Sequence, residues 1–188
     1  HHKKNIEGIK ISTHAMVDLE TLGTKPNCVI LTLGAIKFNP QSDEEPKDGI
    51  YQKFDVDEQV ALGRSQDDST LEWWAKQPKN IQDEAFTDEG RISPLQATKE
   101  LNKFLVGVDV VWAQGPAFDI VILENLYQQL GLPLPWNFWQ IRDSRTLFSL
   151  LDKDPRKAIQ QEAHNALADC YFQAKCVQQA YKRIGVPA

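Results

Sequence analysis

The chain is poor in cysteine, in positive charge and in long apolar runs, and each shortage closes off a class of function. Its three cysteines, Cys28, Cys170 and Cys176, are odd in number and form no Cys-x-x-Cys pair. That excludes a disulfide framework and a zinc knot, and it fits a reducing cytoplasm in which each thiol is a small buried hydrophobe. Lysine and arginine total 21 against 26 acids, a net charge of −5. A protein that coats nucleic acid stoichiometrically would be basic. The deficit excludes a coat but not an enzyme. No apolar stretch approaches the ~20 residues that cross a bilayer, and no charged leader with a cleavage site is read before the most apolar early segment, residues 28–38. A cytoplasmic chain without a membrane partner is expected. Repeats, linkers and low-complexity segments are also missing. The 188 residues, 41% hydrophobic and 25% charged, suit one domain with its own core. That domain is expected over residues 3–188, with His1 and His2 read as an expression-tag remnant.

Periodicity gives the element order. Residues 14–18 read as a strand, Thr21 to Asn27 as a turn with Gly23 and Pro26, and Cys28 to Phe38 as a β-rich second strand. Residues 39–48, with Pro40 and Pro46, suit a hairpin loop before a third strand over Ile50 to Val56. Short connections make these three an antiparallel meander. Ser69-Thr70-Leu71-Glu72 starts a helix that carries Trp73 and Trp74, and Ser93-Pro94 starts another running to Val106. Val108 to Gln114 reads as a buried strand. Phe118 to Leu130 is an amphipathic helix closed by Gly131 and Pro133. Ile141-Arg142-Asp143 is a short fifth strand, with Ser144 expected to cap a helix to Leu151, and residues 165–184 form the last helix. The class is α/β: a mixed sheet of a three-strand meander plus two further strands, flanked by helices. The locally basic stretch from Arg142 to Lys157 reads as a solvated face.

Three segments carry acids in unusual settings. In His14-Ala15-Met16-Val17-Asp18-Leu19-Glu20-Thr21, alternation points Asp18 and Glu20 to one face at the end of an apolar strand. Two like charges buried side by side call for a cation between them, and a divalent metal is the obvious one. Asp119 follows a strand and a Gly115-Pro116 turn and falls in the first turn of an apolar helix. His164-Asn165-Ala166-Leu167-Ala168-Asp169 opens the last helix, with His164 just outside it and Asp169 one turn inside. Each has a plain reading alone: surface charge, an acid at the positive end of a helix, a capping histidine. Together, in this order and in these element contexts, they read as one site.

At these residues the chain resembles the DEDD superfamily of 3′–5′ exonucleases on the ribonuclease H-like fold. The Asp-x-Glu of the first motif is Asp18 and Glu20, the second motif is Phe118-Asp119, and the third is His164 five residues before Asp169, which selects the DEDDh branch. The resemblance spans Val17 to Asp169. Val17-Asp18-Leu19-Glu20-Thr21-Leu22-Gly23 and Ser69-Thr70-Leu71-Glu72-Trp73-Trp74-Ala75-Lys76-Gln77 further resemble the branch that holds T-even phage exodeoxyribonuclease A and a related mycobacterial exoribonuclease.

The resemblance implies a two-metal phosphodiesterase that takes Mg²⁺ or Mn²⁺, acts at nucleic-acid 3′ ends of single strands or overhangs and releases nucleoside 5′-monophosphates. It implies Asp18, Glu20, Asp119 and Asp169 as metal ligands, Asp18 bridging both ions, and His164 as a loop-borne general base. Leu19, Thr21, Leu22 and Phe118 would cradle the terminal nucleotide. Adjacent helical residues point about 100° apart, so one of Trp73 and Trp74 is expected in the core and the other partly exposed, free to stack a base. Trp112, Trp136 and Trp139 read as core or rim packing. DNA or RNA preference and a possible homodimer stay open. A phage-encoded chain would work in the host cytoplasm. The rivals are a catalytically silent nuclease-like binding module and internal cleavage of RNA–DNA hybrids.

Overall fold

The computed structural model describes residues 3–4, 10–159, 161 and 165–187. Strands β1 (Lys3–Lys4) and β2 (Lys10–Ile11) form a separate antiparallel ribbon. The main sheet holds β3 (His14–Thr21), β4 (Ile30–Phe38), β5 (Lys47–Phe54), β6 (Arg91–Ile92), β7 (Val110–Ala113) and β8 (Ile141–Asp143), in the order β6-β5-β4-β3-β7-β8. The β3–β4–β5 meander is antiparallel, whereas β6, β7 and β8 each join in parallel. The helices are α1 (Val56–Ala61), α2 (Asp68–Ala75), α3 (Lys79–Phe86), α4 (Pro94–Phe104), α5 (Asp119–Gln129), α6 (Ser144–Ser149) and α7 (Ala166–Ile184).

Alternation along β3 divides the molecule into two layers. Ala15, Val17 and Leu19 join the core that Leu101, Phe104, Ile122, Leu123 and Leu126 of α4 and α5 complete. Met16 faces the other way, into a core with Phe148 of α6 and Cys170, Ala174 and Val177 of α7. A strand's period of two then sends Asp18 and Glu20 to the α7 side as well. A third cluster, Leu22, Val29, Leu31, Trp74 and Ala85, packs α2 and α3 beside the ends of β3 and β4.

Several elements depart from the pattern-based expectation. The sheet has a sixth strand, β6, whose two residues show no alternation to read. The third strand ends at Phe54, and Asp55 caps the unexpected α1 by accepting from Glu58 N at 2.9 Å. Asp143, not Ser144, caps α6, because its carboxylate reaches Arg145 N at 2.9 Å; Ser144 is buried as the first helical residue. The helix with the tryptophans starts at Asp68, a residue earlier than Ser69. Trp112 and Trp136 are packed as expected, whereas Trp139 is 62% exposed.

Candidate active site

Asp18 and Glu20 lie on the half of β3 that has outrun β7. The β3–β7 ladder stops at Met16 and Trp112, while pairing with β4 runs on, Asp18 opposite Gly34 and Glu20 opposite Thr32. The open edge is closed by the start of α5. Asp119, buried at its first position, accepts the Leu19 N–H at 3.0 Å. One bond thus fixes the second acidic motif to the backbone of the first, 100 residues away.

The third segment arrives across Gly34. A Cβ built on this glycine would lie 2.3 Å from the Ala166 carbonyl carbon and 2.5 Å from Leu167 N. Only a glycine lets the start of α7 come down onto β4 there. Asn165 caps that helix by accepting from Ala168 N at 2.8 Å, and Cys170 donates its thiol to Gly34 O at 3.2 Å. Asp169 is thereby brought beside Asp18. Gln173, one turn further on, donates to Asp18 Oδ1 at 3.4 Å and leaves its buried Oε1 without a partner. Gly34 and Gln173 were missed in the sequence. A glycine inside an otherwise β-rich run is the signal for Gly34; Gln173 has only its i+4 spacing from Asp169.

The electrostatics are those of crowded acids. Burial raises Asp18 well above the usual carboxylate range, and the charges of Asp119, Asp169 and Glu20 raise it further. Burial likewise lifts Glu20 to about 7, against a bond from Thr32 Oγ1 to Glu20 Oε1 at 2.6 Å. Asp119 reaches about 7 from burial, opposed by the Leu19 N–H. Gln161 donates its amide to Asp169 Oδ1. As placed, no three His, Cys, Asp or Glu side chains among the described residues are gathered tightly enough to hold an ion. Neutral donors reach all four carboxylates: Gln173 at Asp18, Thr32 at Glu20, the Leu19 N–H at Asp119 and Gln161 at Asp169. The donor set of hard, anionic oxygens fits Mg²⁺ or Mn²⁺, and the unpartnered Gln173 oxygen adds a buried acceptor beside it.

A cleft of about 450 Å³ opens above these acids, walled by Asp18, Leu19, Glu20, Thr21, Thr70, Trp73, Trp74, Phe118 and Asp169 among others. Trp74 is core: its Nε1 donates to Thr21 O at 2.8 Å, and Trp73, 54% exposed, meets it edge-on. Leu22 lies in the core under Trp74 rather than on the wall. His164 lies outside the described residues. A larger cavity of about 570 Å³ lies beside Leu167 and Phe172, and among the described residues none of its walls is a carboxylate.

The family of 3′–5′ exoribonuclease Rv2179c-like domains matches residues 13–181. The chain belongs to this family. Solved structures agree on the fold at low identity, and the Rv2179c-like domain therefore has the ribonuclease H-like architecture of DEDDh exonucleases. Cell-death related nuclease 4 superposes with a TM-score of 0.63 at 14% identity, covering 93% of this chain and 65% of that one. The nuclease domain of 3′hExo, a DEDDh family member solved with rAMP, gives 0.59 at 15%, covering 92% and 93%. Exonuclease I from Methylocaldum szegediense gives 0.67 at 15%, covering 93% and 41%. The Rv2179c-like chain thus spans 65% of the first of these proteins and well under half of exonuclease I. No curated protein matches it in sequence.

Proposed function

We propose that this chain is a metal-dependent 3′–5′ exonuclease that removes nucleoside 5′-monophosphates from single-stranded 3′ ends, with residues 3–188 acting as one catalytic domain in the cytoplasm. The observation that carries the reading is the convergence of Asp18, Glu20, Asp119 and Asp169, from three distant segments, under one cleft. Family membership supports the direction of attack, and the family's description as exoribonucleases favours RNA. Among the described residues no helix is long and apolar enough to cross a membrane.

The four carboxylates would hold two divalent ions, which supply charge neutralisation at the phosphate and a more acidic water. The protein's part is to place the groups. Leu19 and Thr21 wall the space for the terminal nucleotide and Phe118 closes its side. The exposed Trp73 ring offers a stacking face for a base. His164 takes the proton of the attacking water, a role that suits an imidazole near neutral pH.

Matched single- and double-stranded DNA and RNA oligonucleotides, incubated with Mn²⁺ or with a chelator, test this. The expected result is metal-dependent shortening, fastest on single-stranded RNA. Binding without cleavage in a clean preparation would indicate a silent module and overturn the proposal.

A further inference from the structure

Arg145 stands apart from the other arginines. Of the chain's six arginines, Arg64, Arg91, Arg142, Arg156 and Arg183 all donate side-chain N–H bonds to protein acceptors. Arg145 makes no side-chain hydrogen bond or ion pair among the described residues. It is exposed, yet it is held in place. Asp143 Oδ1 accepts from Gly115 N at 3.2 Å and from Arg145 N at 2.9 Å, tying the turn before α5 to the first turn of α6. The guanidinium lies over Gly115: a Cβ there would sit 3.2 Å from Nη1 and 3.7 Å from Cζ. Gly115 has φ +97°, so the turn favours glycine for its own conformation as well. The result is an unpaired guanidinium beside the turn that delivers Phe118 and Asp119. Its charge acts on Asp119 without an ion pair between them.

On the exonuclease reading, the terminal nucleotide fills the cleft and the scissile phosphate lies over the carboxylates. Arg145 is not on the cleft wall. The strand leaves the carboxylates toward its 5′ end, and an unpaired planar fork with five donors beside Asp119 suits a phosphate at that exit. We propose that Arg145 clamps the phosphate immediately 5′ of the scissile one. The arginines of the basic stretch from Arg142 to Lys157 then divide: Arg142 is occupied by Trp139 O and Ile141 O and Arg156 by Asp154, which leaves Arg145 for substrate.

The test replaces that single phosphate by a neutral methylphosphonate in a single-stranded oligonucleotide and compares kcat/KM for the wild type, Arg145→Ala and Arg145→Lys. The wild type should lose about tenfold on the modified strand, the loss expected of one charge-assisted hydrogen bond. Arg145→Ala should lose a similar factor on the unmodified strand and nothing further on the modified one, with Arg145→Lys between. An alanine variant as active as the wild type, or as sensitive to the methylphosphonate, overturns the assignment. So does a loss of its Mn²⁺-induced thermal shift, which would mark Arg145 as support for Asp119. A wild type that does not shorten even the unmodified strand would sink the exonuclease reading instead.

Discussion

Glu20 and Asp119 are both lifted to about 7 by burial, and the direction has a consequence for stability. Below about pH 4 both are protonated whether the chain is folded or not. As pH rises toward 7, the unfolded chain ionises while the folded acids still hold their protons. Stability without metal therefore falls across that window and levels off above it. Asp18→Asn removes the central charge, so the metal-free variant should melt higher than the wild type at pH 8. It should also lose the rise in melting temperature that Mn²⁺ gives the wild type. A variant no more stable than the wild type, and still stabilised by Mn²⁺, would mean that Asp18 is not at the centre of the cluster. His164 belongs to the same scale, with a different expectation. His164→Ala should lower the rate of hydrolysis heavily and leave Mn²⁺ binding, followed by calorimetry, intact; loss of binding would make it a ligand rather than a base. At this scale the acids were legible because Asp18 and Glu20 sit two apart at the end of an apolar strand, an arrangement that is costly without a cation. Gln173 and Gln161 were not, since a glutamine on a helix or in a loop carries no pattern.

Among the elements, the decisive contact is α7 on β4 at Gly34. A Cβ at this position would overlap backbone rather than the end of a flexible side chain, so the helix must shift. Gly34→Ala should cost about 1–3 kcal/mol in chemical denaturation, as overpacking does. It should also reduce activity by more than that instability explains, because Asp169 moves with the helix. An active, undisturbed variant would contradict the packing. Helix α2 separates two tryptophans with different work. Trp74→Ala leaves a void under Thr21 and should destabilise by about 3–5 kcal/mol. Trp73→Ala should leave the melting temperature near the wild-type value and weaken single-strand binding by about 1–3 kcal/mol. An unchanged affinity would remove Trp73 from the substrate path. The strands of the meander and the long helices were readable from periodicity. Helix α1, with six residues, and β6, with two, are too short for a period and owe their form to Asp55 and to pairing with β5.

The whole molecule brings together residues that no local pattern relates. Asp119 and Leu19 are 100 positions apart, and their bond forms only because β7 stops short and leaves a strand edge open. The order of acidic motifs and element types pointed to an exonuclease family, and the match over residues 13–181 bears that out; the distances within the site needed the folded chain. On the exonuclease reading, an acidic protein with a net charge of −5 would hold its polyanion through local features, a cleft with an aromatic wall and the Arg145 guanidinium, rather than through its overall field. On the proposed reading, the carboxylates of Asp18, Glu20, Asp119 and Asp169 drive cleavage from the 3′ end. A single-stranded RNA labelled on its 3′-terminal nucleotide, incubated with Mn²⁺ and either wild type or Asp18→Ala, tests it most directly. The wild type should release a labelled nucleoside 5′-monophosphate as its first product, and the variant none. A labelled oligonucleotide as the first product, or equal release by Asp18→Ala, would mean that cleavage is internal or does not depend on the cluster.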